Sequence, residues 1–155
     1  MPNAKFDVNG LPEAKFDKGH VLLEEGKPGN KVYVLKDGSV AVVAGGNELC
    51  KVSEAMTMFG EISILLDSKA SANVVVQETS TFYVIDDLMK YLTTNPQSAI
   101  HISQVLAKRL VEMNKVYVQI KTEVLKMEGN PAAKASKKLW GLILKMDAFW
   151  GREVV

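Results

Sequence analysis

Phe59-Gly-Glu-Ile-Ser-Ile-Leu-Leu-Asp-Ser-Lys-Ala-Ser-Ala-Asn-Val-Val-Val76 is the stretch whose reading decides the fold. It opens on Phe-Gly-Glu, passes through one apolar turn from Ile62 to Leu66, and ends in a β-branched run. Gly60 admits a backbone conformation or a close approach that a side chain blocks. Behind it, Glu61 to Leu65 can form a single helical turn whose first N–H groups have no partner inside the turn. Those amides, at the positive end of the helix dipole, suit an anion. Glu61 adds an acceptor for a sugar hydroxyl. The expectation is a small cradle for a phosphate with a ribose attached.

Outward from this stretch, the preceding text consists of short β-rich pieces separated by glycines. His20 to Leu23 is followed by the turn cluster Glu24-Glu-Gly-Lys-Pro-Gly-Asn30. Lys31 to Leu35 alternates, Lys36-Asp37-Gly38 reads as a hairpin turn, and Ser39 to Val43 answers it. Gly45-Gly46 closes that piece. Glu48 to Ser53, Ala72 to Gln77 and Thr81 to Ile85 complete the strand candidates. Short strands at this spacing point to an antiparallel sandwich or barrel. Residues 1–17 carry little signal and form a lead-in, so the expected β region spans 18–93.

After Ile85 the periodicity changes. Asp86 or Asp87 can cap a helix through Leu88 to Leu92, and Pro96 suits the first turn of another. Leu106, Leu110, Met113, Tyr117, Ile120, Val124 and Met127 then alternate spacings of four and three over three heptads. Such spacing predicts a coiled-coil seam, with Lys108, Arg109, Glu112, Lys115, Lys121, Glu123 and Lys126 lying off it. The predicted long helix occupies 94–128 and stops at Gly129-Asn130-Pro131. A last amphipathic helix fits within 130–155, with Leu139, Leu142, Ile143, Met146 and Trp150 on one face and Lys134, Lys137, Lys138 and Lys145 elsewhere. Folding back on the β region or crossing a dimer partner is the preferred reading. A membrane-surface or partner-binding role is the alternative.

Composition narrows the classes. The chain has 155 residues and a formal net charge of +1, which gives no general attraction to nucleic acid. A single cysteine, Cys50, excludes an internal disulfide framework and suits a reducing cytoplasm. No apolar run approaches the roughly 20 residues of a membrane span. His20 and His101 have no cysteine or carboxylate at metal-ligand spacing. Ser63 and Ser71 have no candidate base nearby in sequence, and Gly45-Gly46 lacks the lysine of a P-loop. Glu24 and Glu25 are adjacent, so in a strand they face opposite sides. No catalytic or metal-binding set is expected.

At Phe59–Val76 the chain resembles the phosphate-binding cassette of the cyclic nucleotide-binding domain family. The family's pattern is Phe-Gly-Glu, a few small or apolar residues, a spacer, then Arg-(Ser/Thr/Ala)-Ala-x-Val. Gly60, Glu61, Ile62 and Ser63 match its first half; Ser71, Ala72 and Val74 match its second. The position aligned with the family's arginine is Ala70, so the bidentate partner of the cyclic phosphate is missing, and Lys69 stands one place earlier. Gly19, Gly26, Gly29, Tyr33, Gly38 and Val40 also fall where the family carries turn glycines, an aromatic strand position and a Gly-x-Val hairpin.

The resemblance implies a mainly β fold with C-terminal α structure: an eight-stranded jelly roll, a long dimerisation helix and one further helix. It implies a ligand site at Phe59, Gly60, Glu61, Ile62, Ser63, Lys69, Ala70, Ser71 and Ala72. The long helix looks like that of catabolite activator-type regulators, which places Met113 and Asn114 at base-facing positions. The same helix implies a homodimer seam through Leu106, Leu110, Met113, Tyr117, Ile120 and Val124. Residues 130–155 are too few for a winged helix-turn-helix, so no DNA binding is expected. The resulting expectation is a cytoplasmic, non-enzymatic sensor of cyclic AMP, cyclic GMP or a related nucleotide, signalling to a separate protein partner. The competing expectation is a dimeric scaffold with a vestigial pocket.

Overall fold

The computed structural model describes residues 5–127, together with Leu139 and Leu142. Two compact units divide it, Met1–Ile102 and Ser103–Val155. The first holds eight strands: β1 (Glu13–Phe16), β2 (Val21–Leu23), β3 (Val32–Asp37), β4 (Val40–Ala44), β5 (Asn47–Val52), β6 (Met58–Phe59), β7 (Asn73–Val76) and β8 (Ser80–Ile85). A one-turn helix, α1 (Glu61–Leu65), separates β6 from β7. After β8 come α2 (Leu88–Thr94) and the long helix α3 (Pro96–Met127), whose first turns belong to this unit.

Two four-stranded antiparallel sheets form the roll, ordered β1-β8-β3-β6 and β2-β7-β4-β5. Their inward side chains make one core: Leu22, Leu35, Val40, Phe59, Val74, Val76 and Phe82. The alternation of the strand sequences is what permits this, since every second residue faces the same side. In β7, Val74 and Val76 are buried while Asn73 and Val75 are half-buried.

The segment Lys36-Asp37-Gly38 is not a hairpin turn between paired strands. β3 and β4 belong to different sheets, and the chain crosses between them here. Gly38 has φ +105°, and a Cβ on it would lie 2.7 Å from the Ser80 Cα. Ser39 N–H donates to Ser80 Oγ at 3.0 Å, so the crossing is tied to the start of β8. The paired hairpin is instead β4–β5, turning at Gly45-Gly46.

The roll also begins earlier than the change of composition at Lys18 predicts. β1 pairs with β8 through Glu13↔Tyr83 to Phe16↔Ser80. Phe16 packs on the core, its ring 5.9 Å from both Tyr33 and Phe82 and stacked 4.4 Å from His20. An edge strand of four residues, half of them exposed, leaves too little periodicity to read.

The helical predictions hold closely. Asp87 is the N-cap of α2 and its Oδ1 accepts from Lys90 N–H at 2.9 Å. α2 stops at Asn95 because Pro96 cannot continue its hydrogen-bond ladder, and Pro96 then opens α3. The predicted stop at Gly129-Asn130-Pro131 and most of the last helix lie outside the described residues; Leu139 and Leu142 are helical.

Candidate functional site

Gly60 is the pivot of the cassette. It adopts φ +97° as the N-cap of α1, and a Cβ there would approach the Lys31 carbonyl oxygen to 2.6 Å. Both the left-handed conformation and the close approach therefore demand glycine. The first bond of the turn runs from Ile64 N–H to Gly60 O at 3.4 Å. Amides earlier in the turn precede that bond and have no acceptor within the helix.

The residues of α1 are inverted relative to an ordinary surface helix. Glu61 is 3% exposed and Ser63 is also buried, whereas Ile62, Leu65 and Leu66 face outward. A helix placed only to cover a core would bury its isoleucine and leucines. Ser63 Oγ donates back to Gly60 O at 3.0 Å, and Ser68 N–H donates to Ser63 O at 2.8 Å. These bonds hold the turn closed around the buried carboxylate and hydroxyl.

The second half of the cassette is held by the Gly26–Asn30 turn. Ala70 N–H donates to Lys27 O at 2.9 Å, and Gly26 N–H donates to Ala70 O at 2.8 Å. Pro28 and Lys69 form an isolated antiparallel bridge beside them. Ala70 is 7% exposed, Ser71 is exposed and Ala72 half-buried. β7 then pairs with β2 and β4, so the cassette's end is fixed in the sheet.

A cavity of about 430 Å³ lies on one side of the cassette. Ser63, Ile64, Asp67 and Lys69 line it together with Gly29, Asp86 and Met89, while Gly60, Glu61, Ala70, Ser71 and Ala72 do not. Of the sequence-predicted ligand residues in the cassette, the structure thus places Ser63 and Lys69 at this cavity and the others away from it. Asp67, Asp86, Asp87 and Lys69 are among its lining residues, with Asp87 Oδ1 taken by the cap bond from Lys90 N–H. Asp86 also pairs with Lys31 at 2.8 Å, and that hydrogen bond, aided by the carboxylate's charge, raises the Lys31 pKa. Lys69 is exposed, one place before the buried Ala70.

Phe59 lies at the edge of the predicted site, in the sheet and core. It pairs with Tyr33 in the β3–β6 ladder and belongs to the core cluster, so its side chain supports the cassette from inside. Burial of a neighbouring strand residue leaves no signal in the Phe-Gly-Glu motif itself.

Within the second unit, Met113 is 63% exposed and Asn114 half-buried. Met113 lines an apolar groove of about 470 Å³ with Val116, Tyr117, Ile120, Leu139 and Leu142. Of the predicted seam, Leu110, Met113 and Ile120 are exposed, and Leu106 and Tyr117 are half-buried. Val124 differs: at 2% exposure it is already packed within one chain and is not free for a twin. A second exposed row, Val111, Val118 and Leu125, repeats at seven residues beside the first. The apolar band is thus wider than a two-stranded seam needs. Among the described residues no cluster of three or more His, Cys, Asp or Glu is placed to hold a metal, and no helix is long and apolar enough to cross a membrane.

Two antiparallel sheets rolled around one core, with a glycine-capped turn inserted before β7 and a long helix after the roll, define the class: a jelly-roll domain followed by a helical extension. The cyclic nucleotide-binding domain matches residues 13–92, and the chain belongs to that family. The matched span starts at β1, in agreement with the roll's observed beginning.

Over 110 residues the chain is 27% identical to the CRP-like cAMP-activated global transcriptional regulator of Mycobacterium tuberculosis, covering 67% of this chain and 49% of that protein. It is 29% identical over 119 residues to a cGMP-dependent protein kinase of Eimeria tenella, covering 76% of this chain and 12% of the kinase. The chain therefore spans about half the length of the mycobacterial regulator and a small part of the kinase. Among solved structures, the Thermus thermophilus catabolite activator protein matches with a TM-score of 0.66 at 21% identity, over 76% of this chain and 58% of that one. That likeness concerns the fold. A cyclic nucleotide-binding domain from Methylobacillus flagellatus matches with a TM-score of 0.57 at 25% identity, over 64% of this chain and 62% of its own.

Proposed function

We propose that this chain is a cytoplasmic regulatory module that binds a cyclic nucleotide, cyclic AMP or cyclic GMP, through Gly60–Ser63 and signals to a separate protein partner. The observation that carries the reading is the inverted turn α1, in which glycine caps the helix and the buried groups are a carboxylate and a hydroxyl. In this reading the early amides of the turn receive the cyclic phosphate and Glu61 accepts from the ribose hydroxyl. Ser71 and Ala72 border the phosphate from the other side. Met113 and Asn114 on the long helix are the proposed base contacts.

The module acts as a homodimer through Leu110, Met113, Tyr117 and Ile120. Three of these four leave much of their apolar surface to water in the single chain, which favours association. Ligand binding shifts the population of helix arrangements by contacting one of them better than another. A Leu110→Glu, Ile120→Lys double variant is expected to be monomeric by light scattering at concentrations where the parent is dimeric. Equal masses for the two proteins would remove the long helix as the interface.

Ala70 favours a second reading, a dimeric scaffold that takes no cyclic nucleotide. A buried alanine stands where the family's arginine neutralises the phosphate. Loss of a charge-assisted hydrogen bond costs about 1.5–3 kcal/mol, or roughly ten- to a hundredfold in affinity. Calorimetric titration of the full chain with cyclic AMP and cyclic GMP separates the readings. Saturable heat with either ligand supports the sensor; no heat at millimolar ligand supports the scaffold.

A further inference from the structure

Among the described residues before the roll, Phe6 and Asp7 are held in place. Phe6 is 6% exposed, with its ring centroid 5.5 Å from that of Tyr91 on α2 and 6.0 Å from that of His101 on α3. Tyr91 Oη donates to the Asp7 carbonyl oxygen, and Asp7 N–H donates to Ser98 Oγ at 3.2 Å. Ser98 is fully buried. One dipeptide thus grips α2 and the first turns of α3 at once, on either side of the break at Asn95-Pro96.

α2 has room on two sides. The 430 Å³ cavity beside the cassette is bounded by Asp86 to Met89. A second cavity, of about 250 Å³, lies between Leu11-Pro12, the end of β8, and Lys90, Tyr91 and Thr94. α2 also packs against α1, the cassette turn. A short helix with space on both flanks needs an anchor to keep one position. Leu88, fully buried, anchors its first turn, and the Phe6-Asp7 grip anchors its last.

We infer that Phe6-Asp7 is a strap that locks the elbow between α2 and α3, so that its release frees both helices while the roll stays folded. The strap is a conformational latch: docked, it holds α2 between the two cavities and fixes the start of α3; undocked, α2 can tilt toward either space. Its links to α2 and α3 include an aromatic cluster and two hydrogen bonds, all of them local contacts that can open without unfolding the sheets. The inference does not depend on any ligand, and its test uses none.

Hydrogen exchange on the full chain tests it, with Tyr91→Phe as the main variant. That substitution keeps the ring on Phe6 and removes the hydroxyl that reaches the Asp7 carbonyl and also lies 3.5 Å from Ser98 Oγ. Amides in Leu88–Thr94 and Ala99–Ser103 are expected to exchange about three- to tenfold faster, the loss of one modest hydrogen bond. Amides of β3 and β8 should remain within about twofold of the parent. Phe6→Leu, which removes the ring set against Tyr91 and His101 and leaves the Tyr91–Ser98 hydroxyl contact in place, should produce the same pattern. Acceleration in Tyr91→Phe alone would assign the effect to that direct α2–α3 contact and overturn the strap. Unchanged exchange at the elbow in both variants would overturn the strap. Equal acceleration in the elbow and the roll would also overturn it, by making the segment a general stabiliser.

Discussion

The two ends of the cassette differ in what they retain. At Gly60–Ser63 the backbone has a left-handed cap and a closed turn with a buried carboxylate, the features that the proposed sugar and phosphate contacts use. At Lys69–Ala72 the backbone is held as firmly, by Gly26 and Lys27, but Ala70 stands where the family's arginine aligns, and the neighbouring Lys69 is exposed. Backbone shape is therefore fixed at both ends, while position 70 carries no charge. Backbone geometry is fixed by the whole roll, because β6 and β7 anchor the cassette in opposite sheets. A single side chain can be lost without disturbing that frame. Fold and binding strength are consequently separable here, and the variants below act on one or the other.

Gly60→Ala should have the largest effect, breaking the end that is intact. Positive φ and a 2.6 Å approach to the Lys31 carbonyl both oppose a Cβ. A loss of about 2–4 kcal/mol in stability is expected, measured by chemical denaturation. A loss below about 0.5 kcal/mol, the usual range for an unconstrained surface site, would mean that the cap is not strained as described. Ala70→Arg should sharpen the comparison by restoring charge to the weaker end. Affinity for cyclic AMP or cyclic GMP is expected to rise about ten- to a hundredfold by calorimetry. An unchanged affinity, with a parent-like denaturation curve, would show that position 70 does not face the phosphate.

Glu61→Gln should weaken binding by roughly tenfold at similar side-chain volume, since an amide is a poorer acceptor for a sugar hydroxyl. Equal affinity of the two proteins would remove Glu61 from the ligand. The smallest effect concerns Lys31, whose pKa is raised from 10.5 by Asp86. A raised lysine pKa contributes stability that is fully present below the unfolded value and is lost as pH rises through the folded one. Lys31→Met should therefore melt slightly lower than the parent at neutral pH, with the gap closing above pH 10.5. A gap that widens at high pH would contradict the pairing.

Much of this organisation was legible because glycines and periodicity report backbone constraints directly. Phe-Gly-Glu located the cassette turn, the Asp86-Asp87 pair and Pro96 located two helix starts, and the valine-rich runs located β4 and β7. The edge strand β1 and the crossing at Gly38 were not legible. Which strand pairs with which depends on contacts far apart in sequence, such as Gly38 against Ser80, and a three-residue turn looks the same in a hairpin or a crossover. The proposed strap escaped for the same reason: the partners of Phe6 and Asp7 on α2 and α3 lie more than eighty positions away. In the long helix the burial of Val124 and the second exposed row at Val111, Val118 and Leu125 required coordinates.

Amide chemical shifts of the full chain during titration with cyclic AMP and cyclic GMP give the most direct reading of the cassette. The amides of Gly60, Ile62 and Ser63 should move first and saturate, followed by those of Ser71 and Ala72, with β5 unaffected. Unmoved Gly60–Ser63 amides at millimolar concentrations of both nucleotides would show that this turn receives no cyclic phosphate.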